Sequence, residues 1–138
     1  MSAVLPPQGP TPREILAAAV AAAQASWTVK DYPWKPRQVA PGEAAVSVWR
    51  SDLELVSALA VKHTLTVNLY VSKTEGAAAE AEADDALDQL LLVIQGTPGL
   101  EWTRAERHVF ENVFSGWQIT ASGTSNNVYR QAVLAGGA

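Results

Sequence analysis

Several carboxylates lie close together in one segment, where they could bind a metal ion or exchange protons. They are Glu80, Glu82, Asp84, Asp85 and Asp88. Asp84 and Asp88 are four residues apart and would share one face of a helix. A site for a hard metal ion usually combines carboxylates from separate elements or from a glycine-bearing loop, and the sequence shows neither pattern. We therefore interpret these acids as the solvated face of a helix and expect no metal site.

The two histidines are the other candidates for acid–base chemistry or metal binding. His63 interrupts an apolar face, and His108 follows Arg107. Their spacing matches neither HxH nor HExxH, and there is no GxSxG turn to present a nucleophilic serine. The glycines lack the GxGxxG or GxxxxGK order of nucleotide-binding loops. We therefore expect histidines with satisfied hydrogen bonds, no catalytic residue, no cofactor and no enzymatic activity. A small enzyme or ligand-binding domain is the alternative.

The strongest pattern in the sequence is an alternating run followed by a helical one. Apolar and polar residues alternate over residues 61–71, which is the period of a half-buried strand. Over residues 83–94 the apolar residues recur at helical spacing. A strand face packed against a helical stripe predicts a two-layer core. The residues expected to pack together are Leu65, Val67, Leu69, Leu87, Leu90, Leu91 and Ile94.

Capping signals define two helices. Thr11 and Glu14 form a capping box around Pro12, which predicts that a first helix begins there. A second helix is predicted over residues 75–95, capped by Ser72 or Thr74. The fold class that follows is α+β, with two helices packed on a mixed, mostly antiparallel β-sheet.

The strands around the alternating run include one feature of unusual length. A valine-rich strand over residues 43–50 is expected to end in a tight turn at Ser51-Asp52. Large apolar residues then occupy mostly odd positions over residues 53–71. As one strand this segment would span about 60 Å, which is too long for a compact domain of this size. It therefore either breaks near residues 56–60 or forms a hairpin that projects from the body.

The end of the chain is predicted to be a strand that follows a turn. Gly123–Asn127 contains Gly, Ser, Thr and Asn, which are typical turn residues. The segment Val128–Leu134 follows it and is read as the last strand of the sheet.

The composition describes one folded domain and excludes several classes of protein. The chain has 138 residues, of which 48% are hydrophobic and 17% charged, so residues 1–138 are read as a single domain with residues 1–11 as a flexible arm. Its net charge of −4 argues against a general nucleic-acid binder. The lack of cysteine excludes disulfides and thiolate sites. No apolar run reaches the roughly 18 residues of a membrane span, and alanine-rich Ile15–Ala23 is better explained as a helix than as a signal peptide.

Two tryptophans and two leucines are the candidates for intermolecular contact. Trp34 lies in a proline-broken loop, where it either forms a contact surface or packs back on the body. Trp49 lies on a predicted strand, and tryptophan is favoured both in cores and at interfaces. Leu53 and Leu55 belong to the apolar series that is too long for one compact domain. We therefore take Trp34, Trp49, Leu53 and Leu55 as interface candidates.

The order of elements resembles a known family. After the capped helix the chain contains the strands AVSVW and HTLTVNLYV, the acidic helix AEADDALDQLLLVI, and the closing stretch TRAERHVFENVFSGWQITASG. Over residues 12–134 this order resembles the tail terminator proteins of long-tailed bacteriophages, also called tail completion or head–tail joining proteins. The stretch from AER to GWQIT is similar to versions from phages of actinobacteria.

The resemblance implies a structural function in virus assembly. Six copies would form a ring that caps the finished tail tube, halts its polymerisation and presents a surface to the head connector. The implied partners are further copies of the chain, the major tail tube protein and the head-completion or stopper protein, with no membrane involved. The protein would occur in the host cytoplasm during assembly and then in the neck of the virion. The acid excess fits a lumen through which DNA slides without binding. A head-closure or adaptor protein is the alternative in this class.

Overall fold

Three helices and five strands make up the described part of the chain. The computed structural model describes residues 4–5, 9–40, 42–72, 76–111 and 114–136, so much of the predicted arm, residues 1–11, lies outside the described residues. In chain order the elements are α1 (Pro12–Ala23), β1 (Thr28–Lys30), β2 (Ala44–Ser57), β3 (Ala60–Val71), α2 (Ala77–Gly96), β4 (Leu100–Phe110), β5 (Phe114–Asn126) and α3 (Val128–Ala135).

The strands form one mixed sheet in the order β1-β2-β3-β5-β4. β1 pairs with β2 in parallel, and all other neighbouring strands are antiparallel. The prediction of an α+β fold with a mostly antiparallel sheet is therefore confirmed. β1 ends at Lys30, opposite Ser47, so β2 continues from Val48 with no strand on its outer side in the described part of the chain. β4 forms the opposite edge.

The main core lies between the sheet and helices α1 and α2. Helix α1 contributes Leu16 and Val20, which are fully buried because they lie one turn apart on its inner face. Helix α2 contributes a stripe of small and large apolar residues that meets the inner face of β3. The predicted core is confirmed for Leu65, Val67, Leu69, Leu87, Leu90 and Ile94, and the seventh member, Leu91, is half-buried against it.

The other face of the sheet is partly covered by the loop that follows β1. Trp34 packs there against a small aromatic cluster that includes Tyr70 and Phe110. The Tyr70 hydroxyl donates to the Trp34 carbonyl at 3.2 Å, and the Trp34 N–H donates to the Ser47 hydroxyl at 3.0 Å. Trp34 therefore packs back on the body, which is one of the two alternatives given above for this residue.

The start of α1 agrees with the prediction from the sequence, and the start of α2 differs from it. Thr11 and Glu14 form the predicted capping box around α1. Helix α2 begins after Gly76 and has no side-chain cap. Ser72 instead donates to Glu82 Oε1 at 3.0 Å, so its prediction as a cap was wrong, and Thr74 lies outside the described residues.

A bulge replaces the turn that was predicted at Ser51-Asp52. β2 continues through this point, and the register passes from Arg50 opposite Leu65 to Asp52 opposite Thr64. One extra residue therefore stands on β2, which reverses the alternation of its side chains. Consequently, the apolar residues at even positions before the bulge and those at odd positions after it face the same side of the sheet. The strand therefore continues through Ser51-Asp52 without a turn.

The end of the chain also differs from its prediction. β5 runs through Asn126, so the turn predicted at Gly123–Asn127 is strand for most of its length. Val128–Leu134 was predicted as a strand and is instead part of helix α3. Asn127 favours the helix over the predicted strand, because its side-chain oxygen accepts the Arg130 N–H at 3.1 Å and so caps the helix.

Candidate intermolecular interface

The β2–β3 hairpin extends beyond the part of the sheet that α1 and α2 cover. The strands pair as far as Ser57 opposite Ala60, and Ala58 and Leu59 form the connection. The over-long apolar series thus breaks within the predicted range. Every residue from Arg50 to Leu59 is exposed. This end of the sheet is long, paired and largely uncovered, which distinguishes it from the rest of the fold.

Helix α3 is attached to the hairpin connection through one buried residue. The Asn127 N–H donates to the Leu59 carbonyl at 2.9 Å, and its side-chain amide donates to the Ala58 carbonyl at 3.2 Å. Its side-chain oxygen caps α3 through Arg130. Asn127 therefore fixes both the start of the helix and its position beside the hairpin.

An apolar groove lies between the hairpin and α3. Leu53 pairs with His63 and Leu55 with Val61, so both leucines stand on the helix-bearing face of the sheet. Leu55 is 66% exposed and Leu134 is 68% exposed. Such grouped exposure of large apolar side chains marks interaction sites more often than isolated exposure does. This hairpin groove has a volume of about 620 Å³ and is lined by Leu53, Leu55, Val61, Asn127, Tyr129, Arg130, Val133 and Leu134.

The structure brings together two of the four interface candidates. Leu53 and Leu55 both line the hairpin groove. Trp49 is half-buried in β2 and lines a different cavity together with Pro33 and Arg50. Trp34 belongs to the covered face described above. The candidate interface therefore rests on the two leucines, and Trp49 lies elsewhere on β2, outside the groove.

The side of the groove that α3 supplies was not predicted from the sequence. Tyr129, Val133 and Leu134 were assigned to a strand because aromatic and β-branched residues favour strands. Two signals for a helix were present. Asn127 is a good N-cap residue, and Tyr129 and Val133 are spaced by four, which places them on one face of a helix.

The cleft around His63 is the second feature that could bind a ligand. His63 is 7% exposed, and its Nε2 lies 2.7 Å from the Ser125 hydroxyl. Its Nδ1 has no hydrogen-bond partner among the described residues, so the expected satisfied histidine is found for one ring nitrogen only. Burial, and secondarily the Arg50 charge, lower the pKa of His63 below its usual range. A neutral imidazole results, with Arg50 nearby and cavities of about 340 and 450 Å³ beside it.

Most acidic residues of α2 occupy exposed positions, and Glu82 is half-buried. Asp84, Asp85 and Asp88 are exposed. Glu80 accepts a hydrogen bond from Arg107 Nη2 at 2.8 Å, and this hydrogen bond lowers the pKa of Glu80. Across the described ranges no group of three or more His, Cys, Asp or Glu residues is arranged to hold a metal ion.

The two histidines do not form a common site. His63 stands on the helix-bearing face, whereas His108 lies on β4 one residue after Arg107, which faces Trp117 and α2. His108 therefore points to the opposite face, where it is exposed beside Phe110.

Comparison with protein-family models and with curated protein sequences gave no match for this chain. Within the part of the chain that the structure describes, no helix is both long and apolar enough to cross a bilayer.

Proposed function

We propose that this protein is a structural subunit of a bacteriophage virion, a tail terminator that forms a ring on the finished tail tube. The proposal combines the resemblance of residues 12–134 with the exposed apolar end of the fold. Six copies in a closed ring would bury the growing end of the tube and present a different surface to the head-completion or stopper protein. The ring therefore acts through its geometry and not through a chemical reaction.

The hairpin groove is the observation that carries the proposal. Large apolar side chains from two elements, such as Leu55 and Leu134, converge there and remain exposed in a single copy. Their exposure to water is unfavourable by about 25 cal/mol per Å² of apolar surface. Contact with another protein surface would remove that cost, as is typical of subunits that assemble into larger particles.

The direct test is to add the purified protein to tail tubes that lack their terminator. Electron microscopy should show a six-fold ring at one end of each tube, and tubes should stop growing after addition. Protein that stays monomeric and leaves the tubes uncapped would overturn the proposal. A ring of twelve on a portal, or binding to filled heads and not to tubes, would assign the protein to the adaptor or head-closure class instead.

The His63 cleft favours a second function, binding of a small ligand. It contains a buried ring nitrogen without a partner and an exposed arginine, and such groups often line ligand sites. The variants His63→Ala and His108→Ala separate the two functions, because neither histidine lines the hairpin groove that carries the assembly proposal. A binding or turnover activity that is lost in His63→Ala, with the fold retained, would replace the assembly proposal. Equal tube capping by wild type and both variants would support assembly.

A further inference from the structure

The edge of the sheet opposite the hairpin groove exposes a tryptophan. Trp102 on β4 is 40% exposed. It pairs with Ala121, which belongs to the main core, so Trp102 stands on the helix-bearing face. β4 has β5 as its only strand neighbour among the described residues, and its outer side is free. Tryptophan is among the residues most enriched at the energetic centres of interfaces.

The strand register places Trp102 and the hairpin groove at nearly the same position along the strand direction. Leu65 pairs with both Arg50 and Ala121, so one row across the sheet runs from Arg50 on β2 to Trp102 on β4. Leu53 pairs with His63, which lies two residues from Leu65 on β3 toward the hairpin connection. Trp102 and Leu53 therefore lie on the same face, on opposite edges, and two residues apart along the strand direction.

We propose that the hairpin groove of one copy receives Trp102 from the β4 edge of the next copy. This proposal rests on the ring of the proposed function and names the contact that closes it. The groove and Trp102 lie at different edges, so each copy offers both halves and the contact is head-to-tail. Head-to-tail contacts generate rings when the rotation between copies closes.

One pair of charges at the two edges agrees with this arrangement. Asp52 on β2 and Arg104 on β4 are exposed and stand on the face opposite the groove, opposite Thr64 and Thr120 in the strand register. Arg104 forms an exposed ion pair with Glu106 of the same copy at 2.7 Å. If the next copy is displaced by two residues along the strands, Trp102 lies beside Leu53 and Arg104 lies beside Asp52, so that Arg104 meets a second carboxylate. The same displacement brings Glu101 beside Glu54, a like charge, with Lys62 of opposite sign next to Glu54 on β3.

Contact between two grooves is the competing arrangement, and it fits less well. A two-fold contact centred on Arg130 would place this residue of one copy near Arg130 of the other, since it lines the groove. It would also leave Trp102 exposed. Like charges that face each other across an interface weaken it. The head-to-tail arrangement avoids this repulsion and covers Trp102.

Substitution of the tryptophan gives the first test. Trp102→Ala should weaken ring formation on tail tubes about 30-fold, which corresponds to an interface residue of high energy. Val109→Ala is the matched control, because Val109 is an exposed apolar residue on the same strand. The control should cap tubes like the wild type. Equal capping by the wild type and Trp102→Ala would overturn the proposal.

A charge exchange identifies the partner surface. Asp52→Arg and Arg104→Asp should each reduce capping, because each places like charges in contact. The double variant should recover capping, since it restores the pair with reversed signs. Both residues are exposed, so circular dichroism should show an unchanged fold. If both single variants are impaired and the double variant does not recover capping, the two residues belong to different contacts. That result would overturn the proposed register.

A cysteine cross-link separates failure of this proposal from failure of the proposed function. The chain has no native cysteine, so the double variant Asp52→Cys/Arg104→Cys can cross-link only through the new pair. Oxidation should give a ladder of up to six chains, whereas Asp52→Cys alone should give none. Rings on tubes without a ladder would reject this contact and leave the terminator function standing. A ladder without rings on tubes would support the contact and reject the terminator. Absence of both would reject both.

Discussion

Two regions of the sheet carry the same sequence pattern and meet different surroundings. On β3, Leu65, Val67 and Leu69 alternate with polar residues and are fully buried under α1 and α2. On the neighbouring strand, Leu53 and Leu55 continue the same face and remain exposed. Alternation therefore determines which face of a strand is apolar, and the helices that cover it determine whether that face is buried.

The difference follows from the lengths and positions of the helices. Helix α2 has 20 residues and spans the central part of the sheet, whereas α3 has 8 residues and covers only one side of the hairpin end. The hairpin extends past α1 as well. An apolar face that the described part of the chain leaves uncovered is free to be completed by another copy.

Substitution at equivalent leucines gives the largest expected contrast between the two regions. Leu69→Ala should lower the free energy of unfolding by about 2–5 kcal/mol, because it leaves a cavity in the closed core. Leu55→Ala should change it by less than about 0.5 kcal/mol in a single copy, because the side chain is already exposed. Urea unfolding of both variants measures the two values. Equal effects would mean that the hairpin end is as well packed as the helix-covered part.

The fold was predictable from sequence where local pattern and tertiary packing agree. The alternation around Leu69 and the helical spacing around Leu90 both indicated the core correctly. Helix α3 was not predicted, because residues such as Val133 favour strands and outweighed two local signals for a helix, the cap at Asn127 and the spacing of Tyr129 and Val133 by four. The bulge after Arg50 was likewise missed. A bulge reverses the alternation without any turn residue, and its presence depends on pairing with β3.

The interface candidates were likewise predictable only where the reasoning depended on local sequence. Leu53 and Leu55 were chosen because their apolar series was too long for one domain, and that reasoning depends only on sequence. Trp34 was ambiguous, since its burial depends on a loop that folds back over Tyr70. Trp102 was not among the interface candidates, and its exposure follows from its place at the edge of the sheet. Strand order is a property of the whole fold and has no local signal.

Gly116, near the start of β5, should be essential for stability. A Cβ atom on Gly116 would lie 1.8 Å from the Leu69 carbonyl oxygen, which is part of the neighbouring strand. Gly116→Ala should therefore cost at least about 1–3 kcal/mol, as overpacking does. Gly96→Ala is the matched control, since nothing lies within 4 Å of that position and alanine favours the helix that ends there. Thermal unfolding should show a loss for the first and no loss for the second.

At the hairpin end, Asn127 should make the largest single contribution to the local stability of α3 and the hairpin connection. Asn127→Ala removes the cap of α3 and the bond to the Ala58 carbonyl, and should cost about 0.5–2 kcal/mol. Asn126→Ala is the control, because Asn126 is an exposed residue at the end of β5. Hydrogen exchange should become faster in α3 and at the hairpin connection and stay unchanged in α2. Faster exchange throughout the protein would show that the two regions unfold together.

The smallest expected effect is a dependence of stability on pH at the boundary between the two regions, where His63 lies. Burial and Arg50 lower the pKa of His63 in the folded protein, so the unfolded chain takes up its proton first as the pH falls. The contribution of His63 is therefore fully present above a pH of about 6.5 and is lost progressively below it. Unfolding free energies between about pH 7.5 and pH 5.5 should fall in the wild type and in His108→Asn, in which His63 is unchanged. The fall should be smaller in His63→Asn, which keeps a polar group and removes the titration. The same slope in all three proteins would place the pH dependence elsewhere, and His63 would then be no more sensitive to protons than a surface histidine.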